Sequence, residues 1–332
     1  MKLVVVIPAL DEAETLPRVL ADLPAAVPGF DTVETIVVDD GSSDGTTAVA
    51  FEHGATRVVR FPHRRGLSEA FGAGIDAALR AGADVIVTLD ADNQYVAADI
   101  PRLVLPILAG GTDIVVGERY GAGVEEFSRT KRVLQRVGSA AVRAASRTDV
   151  PDTTSGFRAY TREAALRINV LGRFTYTLES LIQAGRSGLA VGSAPVETNP
   201  AVRRSRLFSS TLEYLARSAT QVARAYAMYA PLRTFLFLAA LAFTAALAIF
   251  ARFLYYFVEN GSAGHVQSLI LGGLLATAAF QVAAIGILGD LLSANRRLIE
   301  RILLRVRRVE LALDEERPGV ELEDVLEPTP ER

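Results

Sequence analysis

Along the first 194 or so residues, short apolar runs alternate with longer stretches of helical periodicity. Leu3–Ile7, Thr35–Val38, Arg57–Arg60, Val85–Leu89 and Ile114–Val116 are rich in β-branched residues and end in polar or glycine-containing turns, which predicts five strands. Ala13–Leu23, Ser68–Ala81 and Ala98–Leu108 carry apolar positions at helical spacing. The strand runs are apolar throughout instead of alternating, so the sheet is expected to be mainly parallel and covered by helices on both faces. Ligands of such sheets bind beyond the carboxyl ends of the strands, which makes the residues just after each run the ones to read.

Two later segments break this pattern. Thr234–Ala251 is 18 residues without a charge and Val266–Gly289 is 24. Crossing a bilayer takes about 20 apolar residues, so the second suffices alone, and the first does if Arg252 snorkels and Phe253–Val258 continues it. Arg203, Arg204, Arg206, Arg217, Arg224 and Arg233 precede the first span, and Arg296, Arg297, Arg301, Arg305, Arg307 and Arg308 follow the second. The connecting Phe253–His265 has no Lys or Arg. The positive-inside bias then places both termini in the cytoplasm. The start, MKLVVVIPAL, has too short an apolar run before Pro8 and Asp11-Glu12 to be a secretory signal.

The expected organisation follows: a cytoplasmic α/β domain over 1–230, two transmembrane helices within 231–292 (about 232–257 and 266–290), a cytoplasmic amphipathic helix over 293–316 and a disordered acidic tail over 317–332. The amphipathic helix has Leu298, Ile302, Leu303, Val306, Val309 and Leu313 at helical spacing. Three uses are open to it: packing on the α/β domain, lying on the membrane surface, or pairing between subunits in a homo-oligomer. The tail carries Pro318, Pro328 and Pro330 among acids.

Composition narrows the chemistry. Of 332 residues, 50% are hydrophobic and the formal net charge is −3, so nothing global points to nucleic acid. The absence of Cys excludes thiolate metal sites, disulfides and Cys nucleophiles, and three His make a His-rich metal site improbable.

Three acidic clusters follow three of the predicted strands: Asp11-Glu12 with Glu14, Asp39-Asp40-Gly41-Ser42-Ser43-Asp44, and Asp90-Ala91-Asp92-Asn93-Gln94. Singly, each could be only a turn or a helix cap. Together they converge on one edge of the sheet. Such an edge suits a sugar nucleotide, whose diphosphate leaves with developing charge that a divalent cation neutralises as a Lewis acid. Mg²⁺ binds through one or two carboxylates plus substrate phosphates, which Asp90 and Asp92 could supply. Glu12 and Asp40 could accept from ribose hydroxyls or a base N–H.

PALDEAETL, VVDDGSSDGT, DADNQ, GERY and TSGFRAY resemble the inverting family-2 glycosyltransferases of the GT-A fold, a Rossmann-like α/β architecture. Within that family the chain is most similar to the polyprenyl-phosphate sugar synthases, such as dolichyl-phosphate mannose synthase and bacterial polyprenyl-phosphate glucosyltransferases. The resemblance covers Lys2 to about Leu207, and the two spans match members with a membrane hairpin. It implies that Pro8, Leu10, Glu12, Val38 and Asp40 hold the base and ribose. Leu10-Asp11 stands where the family usually has Tyr-Asn. Asp90, Asp92 and Gln94 would surround Mg²⁺ or Mn²⁺ and the diphosphate, with the backbone of Ala91 nearby, and Arg119 would reach a phosphate. Asp92, Arg119 and Arg132 would carry catalysis. Arg132 and Arg136 would receive the lipid phosphate, Arg136 standing where the mannose synthases commonly have Ser. Of Val202-Arg203-Arg204-Ser205-Arg206, Arg206 is the expected phosphate ligand, with Arg203 or Arg204 as substitutes.

Residues 124–147 also read independently as a basic amphipathic helix, a form suited to a membrane interface bearing anionic lipid. Guanidinium forks bind phosphate bidentately. The expected reaction is transfer of a hexose from a UDP- or GDP-linked donor to polyprenyl phosphate, on the cytoplasmic face of the cell (inner) membrane. A phosphate monoester has a second pKa of about 6 and needs no general base. A hydroxyl acceptor on a lipid-linked saccharide would need one, for which Asp152 and Glu179 are the candidates. Arg158 reads equally as a phosphate ligand or a structural residue. A non-catalytic membrane scaffold is disfavoured by the presence of Asp40, Asp90, Asp92 and Gln94. A processive polysaccharide synthase is disfavoured because its Gln-x-x-Arg-Trp motif needs a Trp that this chain lacks.

Overall fold

The computed structural model describes residues 1–120, 143, 146, 148–170, 176–200, 231–260, 266–316 and 325–326. The chain forms two units, Met1–Val222 with Leu303–Arg332, and Ala223–Ile302.

The first unit is built on one sheet. Its strands are β1 (Lys2–Ala9), β2 (Thr32–Asp39), β3 (Arg57–Arg60), β4 (Val85–Thr88), β5 (Ile114–Tyr120), β6 (Arg158–Thr161), β7 (Val191–Glu197) and β8 (Val325–Leu326). Their order is β7-β5-β6-β4-β1-β2-β3-β8. β1, β2, β3 and β4 run parallel, as do β5 and β7, while β6 lies antiparallel between β4 and β5, and β8 antiparallel on β3. All five predicted strands form, and the sheet is mainly parallel, as the continuous apolar runs require.

Helices α1 (Leu16–Ala21), α2 (Thr46–Glu52), α3 (Leu67–Arg80), α4 (Ile100–Leu108), α5 (Arg162–Arg167) and α6 (Tyr176–Arg186) cover the sheet. Successive strand side chains point to opposite faces, so each buried strand feeds two cores. Leu3, Val5, Ile7, Val37 and Val87 pack with Leu16, Leu20, Leu103 and Ile107 of α1 and α4. Val4, Val6, Ile36, Val38 and Ile86 pack on the other side with Phe71, Ile75, Ala164, Tyr176 and Leu181 of α3, α5 and α6. α1 is shorter than its periodicity predicts. Pro17 stands in its first turn, and the preceding residues form a turn that enters the site.

In the second unit, α7 (Pro231–Asn260) and the first part of α8 (Val266–Glu316) contain two stretches long and apolar enough to cross a membrane. They pack through small residues: a Cβ on Gly272 would stand 2.9 Å from the Phe250 ring, and one on Gly286 2.9 Å from Phe235 Cβ. Large apolar side chains on both helices face outward, Phe237 at 70% and Phe280 at 76% exposure. A buried hairpin of a water-soluble domain would cover them. α8 continues unbroken from the second apolar stretch through the charged amphipathic one.

The last turns of α8 belong to the first unit and dock there. Leu311 is buried and Leu304 half-buried against the α3/α5 core. Arg307 Nη1 donates to Leu166 O (3.3 Å) and Ile168 O (3.1 Å), the carbonyls at the end of α5. Arg308 forks onto Glu163, and Asp314 pairs with Arg80.

Candidate active site

The parallel register levels the carboxyl ends of the central strands. Ala9 pairs with Asp39, and Val6 with Thr88, so the loops leaving β1, β2 and β4 open onto one edge. The first two are stitched together. Asp11, at φ 51°, takes the left-handed conformation that Asp and Asn tolerate better than other side chains. Its N–H donates to Ser42 Oγ (2.9 Å), and its Oδ1 accepts from Ser43 N–H (2.9 Å). Glu12 N–H donates to Thr46 Oγ1 (3.0 Å), and Thr15 Oγ1 donates to Glu12 Oε2 (2.5 Å). Asp11 therefore ties the loop after β1 to the loop after β2.

The paired Asp39 and Asp40 divide their work. Asp39 is buried and accepts from Ser42 N–H (2.8 Å) and Thr47 Oγ1 (2.5 Å), closing the turn. Asp40 accepts from Arg65 N–H (2.6 Å) and Gly66 N–H (3.0 Å), which draws the 61–66 loop over the same edge. Gly41 between these loops has φ +77°, and a Cβ there would stand 2.6 Å from the His63 backbone, so only glycine fits. Val38 stands next to last in β2, with its side chain fully buried in the α3 core. Pro8 in β1 and Glu12 in the loop after it are buried, and Leu10 is half-buried.

Beyond β4, Asp92 Oδ1 accepts from Gln94 N–H (3.1 Å), and Asn93 takes φ 58°. Asn199 ties this turn down from the far side, donating from N–H to Gln94 O (2.9 Å) and from Nδ2 to Asn93 O (3.1 Å). Ala91 is buried. Asp90 is seated against Gly156, where a Cβ would stand 2.5 Å from its Oδ2. Gly156 is itself fixed: its N–H donates to Tyr95 Oη (3.1 Å), and its carbonyl accepts from Thr88 Oγ1 (2.8 Å) and Tyr176 Oη (3.2 Å). The surrounding protein, and next the charge of Asp92, push the Asp90 carboxyl up to about 7, against the opposing pull of Arg119 and Arg158. A carboxylate pair whose joint ionisation is this costly fits a divalent cation, which removes the conflict. Among the described residues no cluster of three acidic or His groups forms a complete metal cage.

Arg119 reaches the same edge from the end of β5. Its Nε donates to Asp152 Oδ2 (2.6 Å), and its Nη2 to Asp152 Oδ1 (2.9 Å) and Thr154 Oγ1 (2.7 Å). Burial favours the protonated form of Asp152, but the charge and hydrogen bonds of Arg119, with those of Thr154, outweigh it and hold the carboxyl below the usual range. Asp152 thus orients an arginine. Arg158 is structural. It is fully buried, and donates to Ser155 O (2.8 Å), Thr177 O (2.8 Å), Ser180 Oγ (2.9 Å) and Thr153 O (3.0 Å), organising the loop that carries Asp152 and Gly156. Glu179 is buried on α6. Arg132, Arg136 and Arg206, with all of the 124–147 segment except Arg143 and Ser146, lie outside the described residues.

A mainly parallel α/β sheet flanked by helices, with acidic loops at its strand ends, is the architecture of a GT-A-type glycosyltransferase. Residues 4–168 match the family described as Glycosyl transferase family 2. The chain is 31% identical to the polyprenol monophosphomannose synthase of Mycolicibacterium smegmatis over 203 residues, covering 58% of this chain and 75% of that protein. It is 31% identical to the undecaprenyl-phosphate mannosyltransferase of Micrococcus luteus over 176 residues, covering 51% and 70%. Among solved structures, glucosyl-3-phosphoglycerate synthase from Mycobacterium tuberculosis, in complex with Mn²⁺, UDP-glucose and phosphoglyceric acid, superposes with a TM-score of 0.52. That similarity is at 26% identity and covers 68% of this chain and 78% of the synthase. The chain belongs to glycosyl transferase family 2.

Proposed function

We propose that this glycosyltransferase is an integral membrane enzyme that moves a hexose from a UDP- or GDP-linked donor to polyprenyl phosphate, with inversion, at the cytoplasmic face. The observation that carries the acceptor class is the Arg119–Asp152 pair. Both oxygens of Asp152 are committed to the guanidinium, and the carboxyl is held at low pKa. A carboxylate so engaged is a poor general base. A hydroxyl acceptor would need a base, whereas a phosphate monoester arrives already ionised. The names of the two mannosyl-transferring relatives support the same acceptor.

In the proposed step a phosphate oxygen of the lipid attacks the anomeric carbon. The bond from that carbon to the donor diphosphate breaks, and its electron pair leaves with the nucleoside diphosphate. No proton changes hands, and the α-linked donor gives a β-linked product. Glu12 and Asp40 border the nucleoside side, the latter after fixing the 61–66 loop. Asp90 and Asp92, with Gln94, would hold Mg²⁺ or Mn²⁺, which supplies charge neutralisation for the leaving diphosphate. Arg119, pre-oriented by Asp152 and Thr154, would meet a phosphate oxygen. Arg132 and Arg136, on the basic amphipathic segment over 124–147, together with Arg206, are proposed to receive the lipid phosphate. The outward apolar faces of α7 and α8, and the arginines flanking both spans, support a membrane hairpin with both termini cytoplasmic.

The test is a titration of polyprenyl phosphate at saturating donor with Arg132→Ala, beside direct nucleotide binding to the same variant. Losing one charge-assisted phosphate contact should cost about 1.5–3 kcal/mol, a tenfold to hundredfold fall in acceptor kcat/KM, with donor affinity unchanged. Unchanged acceptor dependence with weakened nucleotide binding would move this helix to the donor side and favour a hydroxyl acceptor.

A further inference from the structure

The turn that carries Asp92 and Gln94 is fixed from two sides. From within, Gln94 N–H donates to Asp92 Oδ1 (3.1 Å), so the seat of that carboxylate and the conformation of residues 93–94 are one property. Asn93 between them is left-handed at φ 58°, which Asn tolerates but which is less stable than the right-handed form. From outside, the chain leaving β7 closes on the turn. β7 is locked in parallel to β5, with Arg119 opposite Val196 and Tyr120 opposite Glu197. Residues 95–99 run back along its exit: Tyr95 bridges Thr198, Val96 N–H donates to Glu197 O (3.3 Å), and Glu197 N–H donates to Asp99 Oδ2 (2.6 Å). Asn199 is the last rung. Its N–H takes the Gln94 carbonyl (2.9 Å) and its Nδ2 the Asn93 carbonyl (3.1 Å). Pro200 follows and restricts the Asn199 backbone to extended conformations. The turn after β4 is thereby anchored to a strand three places away in the sheet, the one that flanks Arg119.

We infer that Asn199 is a positioning residue for cation binding: its amide holds the Asn93 and Gln94 carbonyls, and through them sets the Asp92 carboxylate for a divalent cation. The inference rests on the proposed reading of Asp90 and Asp92 as the cation pair. Hydrogen-bond chemistry specifies the residue type. The backbone bond to Gln94 is open to any residue except proline, but the bond to the Asn93 carbonyl needs a side-chain donor of this length. Alanine would leave that carbonyl without its donor. Aspartate, of the same shape, would turn an acceptor toward an acceptor. Groups that hold a metal ligand from behind typically change metal affinity by about tenfold to a hundredfold when lost.

The test uses the full-length protein with Asn199→Ala, Asn199→Asp and, beside them, Asp92→Asn. Binding of UDP and of GDP is measured by calorimetry over a series of Mn²⁺ concentrations, together with Tm. Asn199→Ala should need at least about tenfold more Mn²⁺ to reach half of the cation-dependent gain in nucleotide affinity, with cation-free binding within about twofold of wild type and Tm nearly unchanged. Asn199→Asp should also need more Mn²⁺, although its added negative charge by itself attracts a cation. That sign is one a merely structural or electrostatic role does not produce, and the isosteric variant decides the matter if Asn199→Ala melts early. The inference is overturned if Asp92→Asn loses the cation-dependent gain while Asn199→Ala keeps the wild-type Mn²⁺ requirement or Asn199→Asp lowers it; the cation pair then stands without Asn199. Absence of any Mn²⁺-dependent gain in the wild-type protein would instead remove the cation reading itself, and the inference with it.

Discussion

Gly156 is the wall against which Asp90 rests: a Cβ at 156 would come within 2.5 Å of Oδ2 and 2.8 Å of Oδ1. Three hydrogen bonds pin that glycine from Tyr95, Thr88 and Tyr176, so the backbone does not yield readily. Gly156→Ala should therefore displace the Asp90 carboxylate and leave the fold in place. A misplacement of about 1 Å in such a site costs up to a hundredfold in rate. The check is kcat against melting temperature: at least a tenfold fall in kcat with Tm nearly unchanged is expected, and full activity would show that Asp90 need not sit where it does.

Asp92→Asn should abolish turnover, because a neutral amide is a poor ligand for Mg²⁺ or Mn²⁺. The variant keeps its acceptor for Gln94 N–H through the amide oxygen, so the turn at Asn93 is preserved. Calorimetric titration of nucleotide with and without cation separates the cases. The variant should lose the cation-dependent part of binding; turnover near wild type at saturating metal would remove Asp92 from the cation site.

Asp152 gives a pH signature with a definite sign. Its folded pKa is depressed, so the stability from the Arg119 pair is fully present above the unfolded value of about 3.9 and is lost as pH falls through the lower folded value. Asp152→Asn leaves a buried guanidinium without its charged partner, at a cost of about 3 kcal/mol. Denaturant unfolding of both forms should show that difference constant from pH 8 to pH 5 and shrinking only below about pH 4. A difference that widens as pH falls from 7 to 5 would mean a raised folded pKa, and one that stays constant down to about pH 3 an ordinary one; either would restore Asp152 as a base.

Arg158→Lys separates a structural arginine from a phosphate ligand. An ammonium cannot span four acceptors arranged about a planar fork. Leaving buried carbonyls at Thr153, Ser155 or Thr177 unsatisfied costs about 1–3 kcal/mol each. A marked fall in Tm is expected; retained stability with weakened donor affinity would instead place Arg158 on the substrate.

The sheet was legible where its strands are continuous apolar runs. β6 and β7 were not: Arg158-Ala159-Tyr160-Thr161 is short and half polar, and Val191–Glu197 carries Gly192 and Pro195, which a half-exposed edge strand tolerates. The three acidic loops were legible because strand ends are where ligands of such sheets bind. The Arg119–Asp152 pair was not, because its members are 33 residues apart and meet only through pairing of β5 with β6. The Gly156–Asp90 contact joins a glycine before β6 to a residue after β4, a proximity set by their antiparallel pairing.

The most direct measurement offers the purified full-length protein a panel of UDP- and GDP-hexoses with Mg²⁺ or Mn²⁺. Polyprenyl phosphate and a polyprenol-linked saccharide are supplied as competing acceptors, and the lipid products are read by mass spectrometry. The account predicts one dominant product, a hexose joined through a single phosphate to the polyprenol, which disappears in Asp92→Asn. Glycosylation of the saccharide hydroxyl with the lipid phosphate untouched would contradict it.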